Sequence, residues 1–495
     1  MLITFSNTLR NLPAAVIIPL AASESLEPAL NKIAQATGQP AALLRQDFKA
    51  DQGEVHTLYM QQQRYFLLGL GAHPSFAEVL RAFRSFSHKH RQKMACSIGV
   101  SLLHDNLSGD ASLWAEAATN GLLLGAYAIG RFKNQPPHQV HPLAQADARV
   151  DIIADENLEA QCLAAADKGR QMAETQMRIF DLVNAPSNKK NPESLAQWAL
   201  DSGKTYGYAV QVMDKPAIET TGLHALLAVN RGSEYPPAFI VMEYTPRETN
   251  GKPLKKVGLV GKGVTFDTGG LSIKPSANMH YMKSDMGGAA AVFGTMEIAA
   301  KLQLPIHLIG IVPATDNSVD ARSLKPSDVI DSYSGKTIEV IDTDAEGRLI
   351  LADGLAYMAR NFSPDIMIDL ATLTGSTVRT FGYHAAGLFS NNDDLASSLF
   401  ESGERSGERM WRLPIWEVYK DDIKSDVADV RNYSGKPMAG AIGAAKFLEA
   451  FIEGHTAWAH LDIAGVAFND SEFASQKSAT AYGVRLLTDF LSRLD

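Results

Sequence analysis

Residues 336–358 have the sequence KTIEVIDTDAEGRLILADGLAYM. Residues 336–341 are rich in β-branched side chains and predict a strand, whereas residues 349–358 have the apolar spacing of a helix. Between them Asp342, Asp344 and Glu346 place carboxylates on alternate positions, and Arg348 follows two residues later. Open α/β sheets bind their ligands at such strand-to-helix turns. The stretch therefore predicts an α/β fold with an acidic site at this turn.

The 495-residue chain is long enough for two or three domains. Strands predicted at residues 65–70, 96–103 and 150–154 alternate with helices at 76–91 and 112–132, which is α/β patterning. A helix predicted at 157–183 ends at the breaker NAPSN. We therefore predict an N-terminal α/β domain at 1–160, a connecting helix and breaker at 161–190, and a C-terminal domain at 191–495.

The C-terminal domain has the stronger alternation and predicts a doubly wound sheet covered by helices on both faces. Its predicted strands are residues 208–213, 238–244, 256–260, 307–312, 337–341, 365–370 and 457–463, and its predicted helices are 287–301, 349–361, 443–452 and 480–494.

The composition indicates a globular protein that keeps its thiols reduced. Hydrophobic residues make up 45% of the chain, and the only cysteines are Cys96 and Cys162, which argues against disulfides.

No apolar run approaches the roughly 20 residues that span a bilayer. Residues 13–23 (PAAVIIPLAAS) resemble a short signal-peptide core, but we favour a first strand broken at Pro19. We expect a cytoplasmic protein. The net charge of −9 argues against general nucleic-acid affinity and leaves a local basic patch open.

Residues 342–353 (DTDAEGRLILAD) also mimic a calcium-binding loop, with oxygen ligands from Asp342, Asp344 and Glu346 and a glycine at Gly347. We disfavour this alternative for two reasons. Its last ligand would be Asp353 in place of the usual bidentate glutamate, and a strand is predicted before it where such a loop follows a helix.

A second acidic region lies upstream. Residues 261–270 (GKGVTFDTGG) follow a predicted strand, and residues 282–288 (MKSDMGG) open a predicted helix. Taken singly, Asp285 could cap that helix, Asp267 could stabilise a glycine-rich turn, and Lys262 could be solvated. Taken together, the four acids would lie beyond the carboxyl ends of strands in one sheet; they are Asp267, Asp285, Asp344 and Glu346.

Four clustered carboxylates raise one another's pKa unless cations neutralise them, and their charge matches two divalent ions. An oxygen-rich donor set suits Mn²⁺, Mg²⁺ or Zn²⁺. Arg348 in the first turn of a helix opposes the helix dipole, so either a small anion or a neighbouring acid would stabilise it.

At these residues the sequence resembles the leucyl aminopeptidase family, also called the cytosol aminopeptidases or peptidase family M17. The matching runs are VGKG at 260–263, FDTGG at 266–270, KP at 274–275, MKSDMGGAA at 282–290, TDAEGRL at 343–349, DLATLTG at 369–375 and HLDIAG at 460–465. They lie in the predicted C-terminal domain.

The resemblance implies a two-metal exopeptidase, a hydrolase that removes N-terminal leucine and other apolar residues from peptides. It implies a tighter metal held by Lys262, Asp267, Asp285 and Glu346, and a more exchangeable one held by Asp267, Asp344 and Glu346, both Mn²⁺ or Zn²⁺. Lys262 would then be a neutral amine with a strongly lowered pKa, for which adjacent divalent ions supply a reason.

The implied mechanism uses a metal-bridging water as the nucleophile. Lys274 would act as the electrophile at the scissile carbonyl, and Arg348 would hold a bicarbonate that serves as general base. By the same resemblance, the N-terminal side chain of the substrate would be held by Met282, Thr372, Gly375 and Ala464.

The resemblance also implies a homohexamer in which the N-terminal domain has an oligomerisation or regulatory role. A DNA-binding regulator on a peptidase fold is the alternative function. The sequence departs from the family at Asp342, where the family usually has Asn, and at Asp316-Asn317, where it often has Glu-Asn. The extra carboxylate of Asp342 could tighten metal binding or shift the pH profile.

Overall fold

The computed structural model describes residues 1–7, 13–60, 63–103, 110–134, 140–247 and 254–494. The chain divides into two compact units, Met1–Met177 and Arg178–Asp495. Both units combine helices with sheets that contain parallel strands, which confirms the predicted α/β class. A separate connecting segment at 161–190 and the role of the first domain stay predictions.

In the described part of the first unit, the strands form one sheet in the order β1-β6-β5-β2-β4-β3. Neighbouring strands are parallel except β3, which runs antiparallel to β4. The strands are β1 Leu2–Ser6, β2 Ala15–Leu20, β3 Val55–Met60, β4 Gln63–Gly69, β5 Ser97–Ser101 and β6 Arg149–Ile153. The helices are α1 Leu26–Thr37, α2 Ala41–Asp47, α3 Phe76–Lys89, α4 Ala111–Gly125 and α5 Glu159–Asn184, the last of which continues into the second unit.

Two predictions for the first unit are wrong in detail. The apolar stretch at 13–23 holds the second strand, and Pro19 lies within it, opposite Leu68 of β4. The missing N–H of Pro19 is tolerated because pairing with β5 has already ended at Ile17. The helix predicted at 112–132 ends at Gly125, because the next two N–H groups bond to carbonyls three residues back and tighten the last turn.

The second unit is built on a larger mixed sheet with the order β16-β15-β18-β14-β9-β11-β8-β7, in which β10 also pairs with β11. Its strands are β7 Ala209–Met213, β8 Ala238–Tyr244, β9 Lys256–Gly261, β10 Gly263–Asp267, β11 His307–Asn317, β12 Val329–Ile330, β13 Ile338–Glu339, β14 Ile366–Ala371, β15 Ala386–Ser390, β16 Met410–Arg412, β17 Val430–Arg431, β18 Trp458–Asp462, β19 Phe468–Asn469 and β20 Ser478–Ala479. The helices are α6 Pro192–Tyr206, α7 Lys215–Thr221, α8 His224–Asn230, α9 Gly287–Leu302, α10 Glu346–Phe362, α11 Gly375–Phe381, α12 Asp393–Ser406, α13 Gly440–Glu449 and α14 Val484–Leu491.

Helices cover both faces of this sheet, as predicted. Successive residues of a strand point to opposite faces. In β11, Gly310 faces Val292 and Met296 of α9, whereas Ile309 and Ile311 belong to the same apolar cluster as the buried face of α10. The central strands β18, β14, β9 and β11 are parallel, and antiparallel strands lie towards both edges. The carboxyl ends of the central strands therefore meet at one edge of the sheet.

The strand predicted at 337–341 does not belong to the large sheet. Only Ile338–Glu339 is a strand, and it pairs with β12 and β17 in a separate small sheet. The chain then makes a short 3₁₀ turn at Thr343–Ala345 before α10 begins at Glu346. Hence the four predicted acids do not all follow strands of one sheet. Among the described residues, no helix has the length and apolar character needed to cross a membrane.

Candidate metal centre

Lys262 lies between β9 and β10 and is the most central cation of the site. Its side chain is only 3% exposed, and its Nζ lies 2.8 Å from Asp285 Oδ2 and 2.8 Å from Glu346 Oε1. The same Nζ donates to the carbonyl of Thr372 at 3.0 Å. A buried ammonium thus joins residues from three separate parts of the chain.

Asp267 is the last residue of β10, and the glycines after it shape the turn. Its Oδ1 accepts from Gly269 N at 2.8 Å and from Asn317 Nδ2 at 2.9 Å. Gly269 has φ 86°, and a Cβ there would lie 2.9 Å from Asp344 Oδ1. Glycine is required because the turn needs a left-handed residue and also brings the backbone against a second acid.

Asp285 precedes α9 without capping it. The capping position is Met286, which has no side-chain cap, and Asp285 Oδ1 instead accepts from Thr372 Oγ1 at 2.8 Å. Its buried Oδ2 is near Lys262 but has no hydrogen-bond partner among the described residues. The helix-cap interpretation of Asp285 is therefore wrong.

The three acids of the opening stretch have different roles. Asp342 Oδ1 accepts from Asp344 N at 2.9 Å and so caps the 3₁₀ turn. Glu346 is buried at the start of α10, while the side chain of Asp344 is 34% exposed and contacts Lys274. One oxygen each of Asp267, Asp344 and Glu346 lie within 4.8 Å of one another, which is a separation that a metal ion can bridge.

Burial and mutual repulsion raise the pKa of three acids in this cluster. Burial raises the pKa of Asp285 to about 8, with Asp267 and Glu346 adding to the shift and Lys262 opposing it. Burial also raises the pKa of Asp344 to about 7 and raises the pKa of Glu346, in both cases helped by the charge of Asp267. The protein's own cations thus do not fully offset burial and the mutual repulsion of these acids.

The neighbouring carboxylates set the pKa of Lys262 in the protein without bound cations, and the lowered pKa expected beside two divalent ions stays a prediction. Burial lowers its pKa, but the charges of Asp285, Glu346 and Asp267 outweigh burial and raise the pKa above its usual range. A lowered pKa is therefore not a property of the protein alone. It would require metal cations that compete for the same carboxylates.

Lys274 contacts two of the acids. Its Nζ lies 2.7 Å from Asp267 Oδ2 and also contacts Asp344 Oδ1. Burial lowers the pKa of Lys274, but the charges of Asp267, Glu346 and Asp344 reverse that effect and raise it. Lys274 is therefore a charged donor beside the acids.

Arg348 lies in the first turn of α10 and is 7% exposed. Its Nη1 donates to the carbonyl of Asn432 at 2.7 Å, and its buried Nε has no hydrogen-bond partner among the described residues. Burial lowers the pKa of Arg348, against the opposing charges of Glu346, Asp342 and Asp462. This buried guanidinium therefore has a donor available for a small anion, and its anion-holding role stays a prediction.

Two asparagines complete the site, and the sequence motifs identify neither of them. Asn317 Nδ2 donates to Asp267 Oδ1 and, at 3.1 Å, to the carbonyl of Thr343, and so joins the two acidic regions. Asn432 accepts from Ile341 N at 2.8 Å and donates to the carbonyl of Asp342 at 2.7 Å. A full-length prediction of β11, which ends at Asn317, would have placed the first of them at the carboxyl edge of the sheet.

One cavity of about 820 Å³ gathers nearly all the predicted site residues. Its lining includes Lys262, Asp267, Asp285 and Asp344, the predicted catalytic pair Lys274 and Arg348, and the predicted substrate-binding residues Met282, Thr372, Gly375 and Ala464. Glu346 reaches the same cluster through its contact with Lys262. The acidic residues and the predicted substrate-binding residues therefore line the same cavity.

The calcium-loop alternative is wrong. Asp353, its required last ligand, is fully buried in α10 and accepts from Leu226 N at 3.0 Å and Tyr333 N at 2.8 Å. Asp342 is engaged as a cap. The acids instead combine across the fold, and a cluster of carboxylate oxygens fits hard or borderline divalent cations.

Comparison with known proteins matches both units of the chain to one enzyme family. The catalytic-domain model of the cytosol aminopeptidase family matches residues 178–488, and the N-terminal-domain model of that family matches residues 17–136. A probable cytosol aminopeptidase of Chloroherpeton thalassium is 42% identical over 98% of both chains, and one of Chlorobium luteolum is 44% identical over 99% of both. The solved structure of the bottromycin maturation enzyme BotP in complex with Mn has a TM-score of 0.83 at 31% identity and covers 97% of this chain and 99% of that chain. The chain belongs to the cytosol aminopeptidase family, peptidase family M17, whose members are metal-dependent aminopeptidases.

Proposed function

We propose that this aminopeptidase removes leucine and other apolar residues from the N-termini of peptides with two divalent cations, Mn²⁺ or Zn²⁺, in its acidic cavity. The observation that supports this most directly is the meeting of Asp267, Asp344 and Glu346 oxygens within 4.8 Å in a cavity with an apolar wall. An acid-lined cavity gives no support to the DNA-binding alternative.

Lys262, Asp267, Asp285 and Glu346 would hold the tighter cation, and Asp267, Asp344 and Glu346 the more exchangeable one, with the backbone carbonyl of Asp344 as a further donor. When bound, the two cations would supply an activated water nucleophile and a site for the substrate's free amine. The need for a free amine is what would make the enzyme an exopeptidase.

The chain's own groups would orient and stabilise the reacting peptide. Lys274 lines the cavity, and its ammonium would donate to the scissile carbonyl and stabilise the developing oxyanion. Arg348, with its unused Nε, would hold a bicarbonate that accepts a proton from the attacking water. The substrate's N-terminal side chain would lie against Met282, Thr372, Gly375 and Ala464.

Hydrolysis of a leucine chromogenic amide tests this function. Protein stripped of divalent metal should be inactive, and Mn²⁺ or Zn²⁺ should restore turnover; full activity without metal would refute the mechanism. Arg348→Ala should slow turnover while bound metal stays near normal, and loss of metal would argue against an anion-holding role. Arg360→Ala is a matched control, because Arg360 lies on the same helix and pairs with Glu453 at the surface.

We also propose a cytoplasmic homohexamer. Several large apolar side chains between residues 411 and 438 are highly exposed in the single chain, which fits surfaces covered by other subunits. They are Trp411, Trp416, Val418, Val427 and Met438. Sedimentation equilibrium should give six times the mass of one chain, and a monomer at micromolar concentration would contradict this.

A further inference from the structure

Asp462 is a buried acid to which neither the sequence motifs nor the proposed chemistry gives a role. It is the last residue of β18 and is completely buried. In the sheet it lies opposite Ala371, the last residue of β14. Asp462 therefore occupies the carboxyl edge of the sheet, next to the chain that leads into the substrate pocket.

The carboxylate of Asp462 accepts five hydrogen bonds. Four come from the segment that leads from β14 into the first turn of α11, and one comes from the loop after β18. Its Oδ2 accepts from the hydroxyls of Thr374 and Thr377, both at 2.6 Å. Its Oδ1 accepts from the N–H groups of Leu373, Thr374 and Ala464 at 3.2, 3.4 and 3.2 Å. One side chain thus fixes both the segment that leads from β14 into α11 and the loop that follows β18.

These two segments form the wall that would hold the substrate's N-terminal side chain, since Thr372 and Gly375 lie on the first and Ala464 on the second. The loop between β14 and α11 also reaches the acidic cluster. The hydroxyl of Thr372 donates to Asp285, and its carbonyl accepts from Lys262. The position of this loop therefore bears on the pocket and on two proposed metal ligands at once.

We propose that Asp462 is a positioning residue that sets the shape of the pocket wall and, through Thr372, the affinity of the adjacent metal position. The inference rests on the proposed function and assigns it a specificity-determining residue. A carboxyl group suits this position because its two oxygens together accept from two hydroxyls and three N–H groups. In Asp462→Asn the amide oxygen can still serve the N–H groups, but its NH₂ cannot accept from both threonine hydroxyls.

The test compares Asp462→Asn with wild type by two measurements. The ratio of kcat/KM for leucine and alanine amides should change about tenfold, because a displaced pocket wall alters the fit of the side chain. The dissociation constant for Mn²⁺, titrated into the metal-free protein, should rise about tenfold, as it does when partners of metal ligands are lost. Unchanged values for both, within about twofold, would overturn the proposal.

Asp353→Asn is the matched control, since Asp353 is another fully buried acid that accepts backbone N–H bonds but does not contact the pocket wall. It should lower the melting temperature and leave the kcat/KM ratio and the Mn²⁺ dissociation constant unchanged. Equal changes of these two quantities in both variants would reduce Asp462 to a general folding role and refute the proposal.

If Asp462→Asn does not fold, Thr377→Val should shift the kcat/KM ratio and the Mn²⁺ dissociation constant in the predicted direction, and Thr377→Ser should restore them. Failure of Thr377→Val to shift either would also refute it. If the wild-type protein had no amidase activity, the proposed function would be refuted. The Mn²⁺ titration would still show whether Asp462 affects metal affinity.

Discussion

Gly347→Ala should slow this enzyme strongly without removing any proposed ligand. Gly347 lies between Glu346 and Arg348 in the first turn of α10. A Cβ at this position would lie 2.6 Å from Lys262 Cε and 2.7 Å from Lys262 Nζ. Non-bonded carbon atoms pack at about 3.5–4.0 Å, so Lys262 would have to move by about 1 Å. Its contacts with Asp285 and Glu346, both 2.8 Å, would then open.

The expected loss is large in activity and small in folding stability. A displacement of about 1 Å at a catalytic site reduces turnover by about 100-fold, which corresponds to about 2.7 kcal/mol of activation free energy. Alanine is favoured over glycine within a helix by about 1 kcal/mol, and the lysine can shift because it is flexible. The variant should therefore fold, bind Mn²⁺ more weakly and turn over a leucine amide about 100-fold more slowly.

The assay combines steady-state kinetics, Mn²⁺ titration and thermal melting on one pair of variants. Gly443→Ala is the control, because Gly443 lies in α13 and a Cβ there would have no atom of the described residues within 4 Å, apart from its own helix and chain neighbours. That variant should keep wild-type activity with equal or higher stability. If Gly347→Ala retained kcat/KM and metal affinity within about twofold of Gly443→Ala, the close packing of Lys262 against α10 would not matter for function.

Three further substitutions test a turn cap, a proposed metal ligand and a buried amine. Asp342→Asn should keep activity and bound metal near wild type, because Asn caps a turn as Asp does; loss of metal would make Asp342 a ligand. Asp344→Ala should abolish turnover, and elemental analysis should show that one of two cations is lost; retention of both would exclude it as a ligand. Burial, with the charge of Lys283 adding, lowers the pKa of Lys190 to about 7, so folding gains stability as the pH rises above that value. Lys190→Met should therefore lower the melting temperature more at pH 9 than at pH 6.5, and an equal decrease at both would contradict the buried-amine interpretation.

Local geometry alone identifies only those parts of the site in which neighbours in sequence are also neighbours in space. Lys262, Asp267 and Asp285 are joined to them by an expectation about strand ends and by the family resemblance. Asp344 and Glu346 lie two residues apart across the start of one helix, so their convergence follows from local geometry. The strand before them is predicted in the wrong sheet, because a run of β-branched residues indicates a strand without indicating its partner. The start of α14 at Val484 is also missed, since Ala481 and Gly483 adopt left-handed backbone angles that no apolar spacing reveals.

By itself the sequence determined the α/β class, the acidic motifs and the resemblance to a metallopeptidase, because periodicity and short motifs are properties of neighbouring residues. Only the tertiary structure decided how these parts combine. It showed that Asp342 caps a turn, that Asn317 joins two acidic regions, and that the neighbouring carboxylates raise the pKa of Lys262. Each of these depends on burial and on distances between residues far apart in the chain. The acidic turn that follows residue 341 is therefore one side of a site whose other side is built from β10, α9 and the loop after β14.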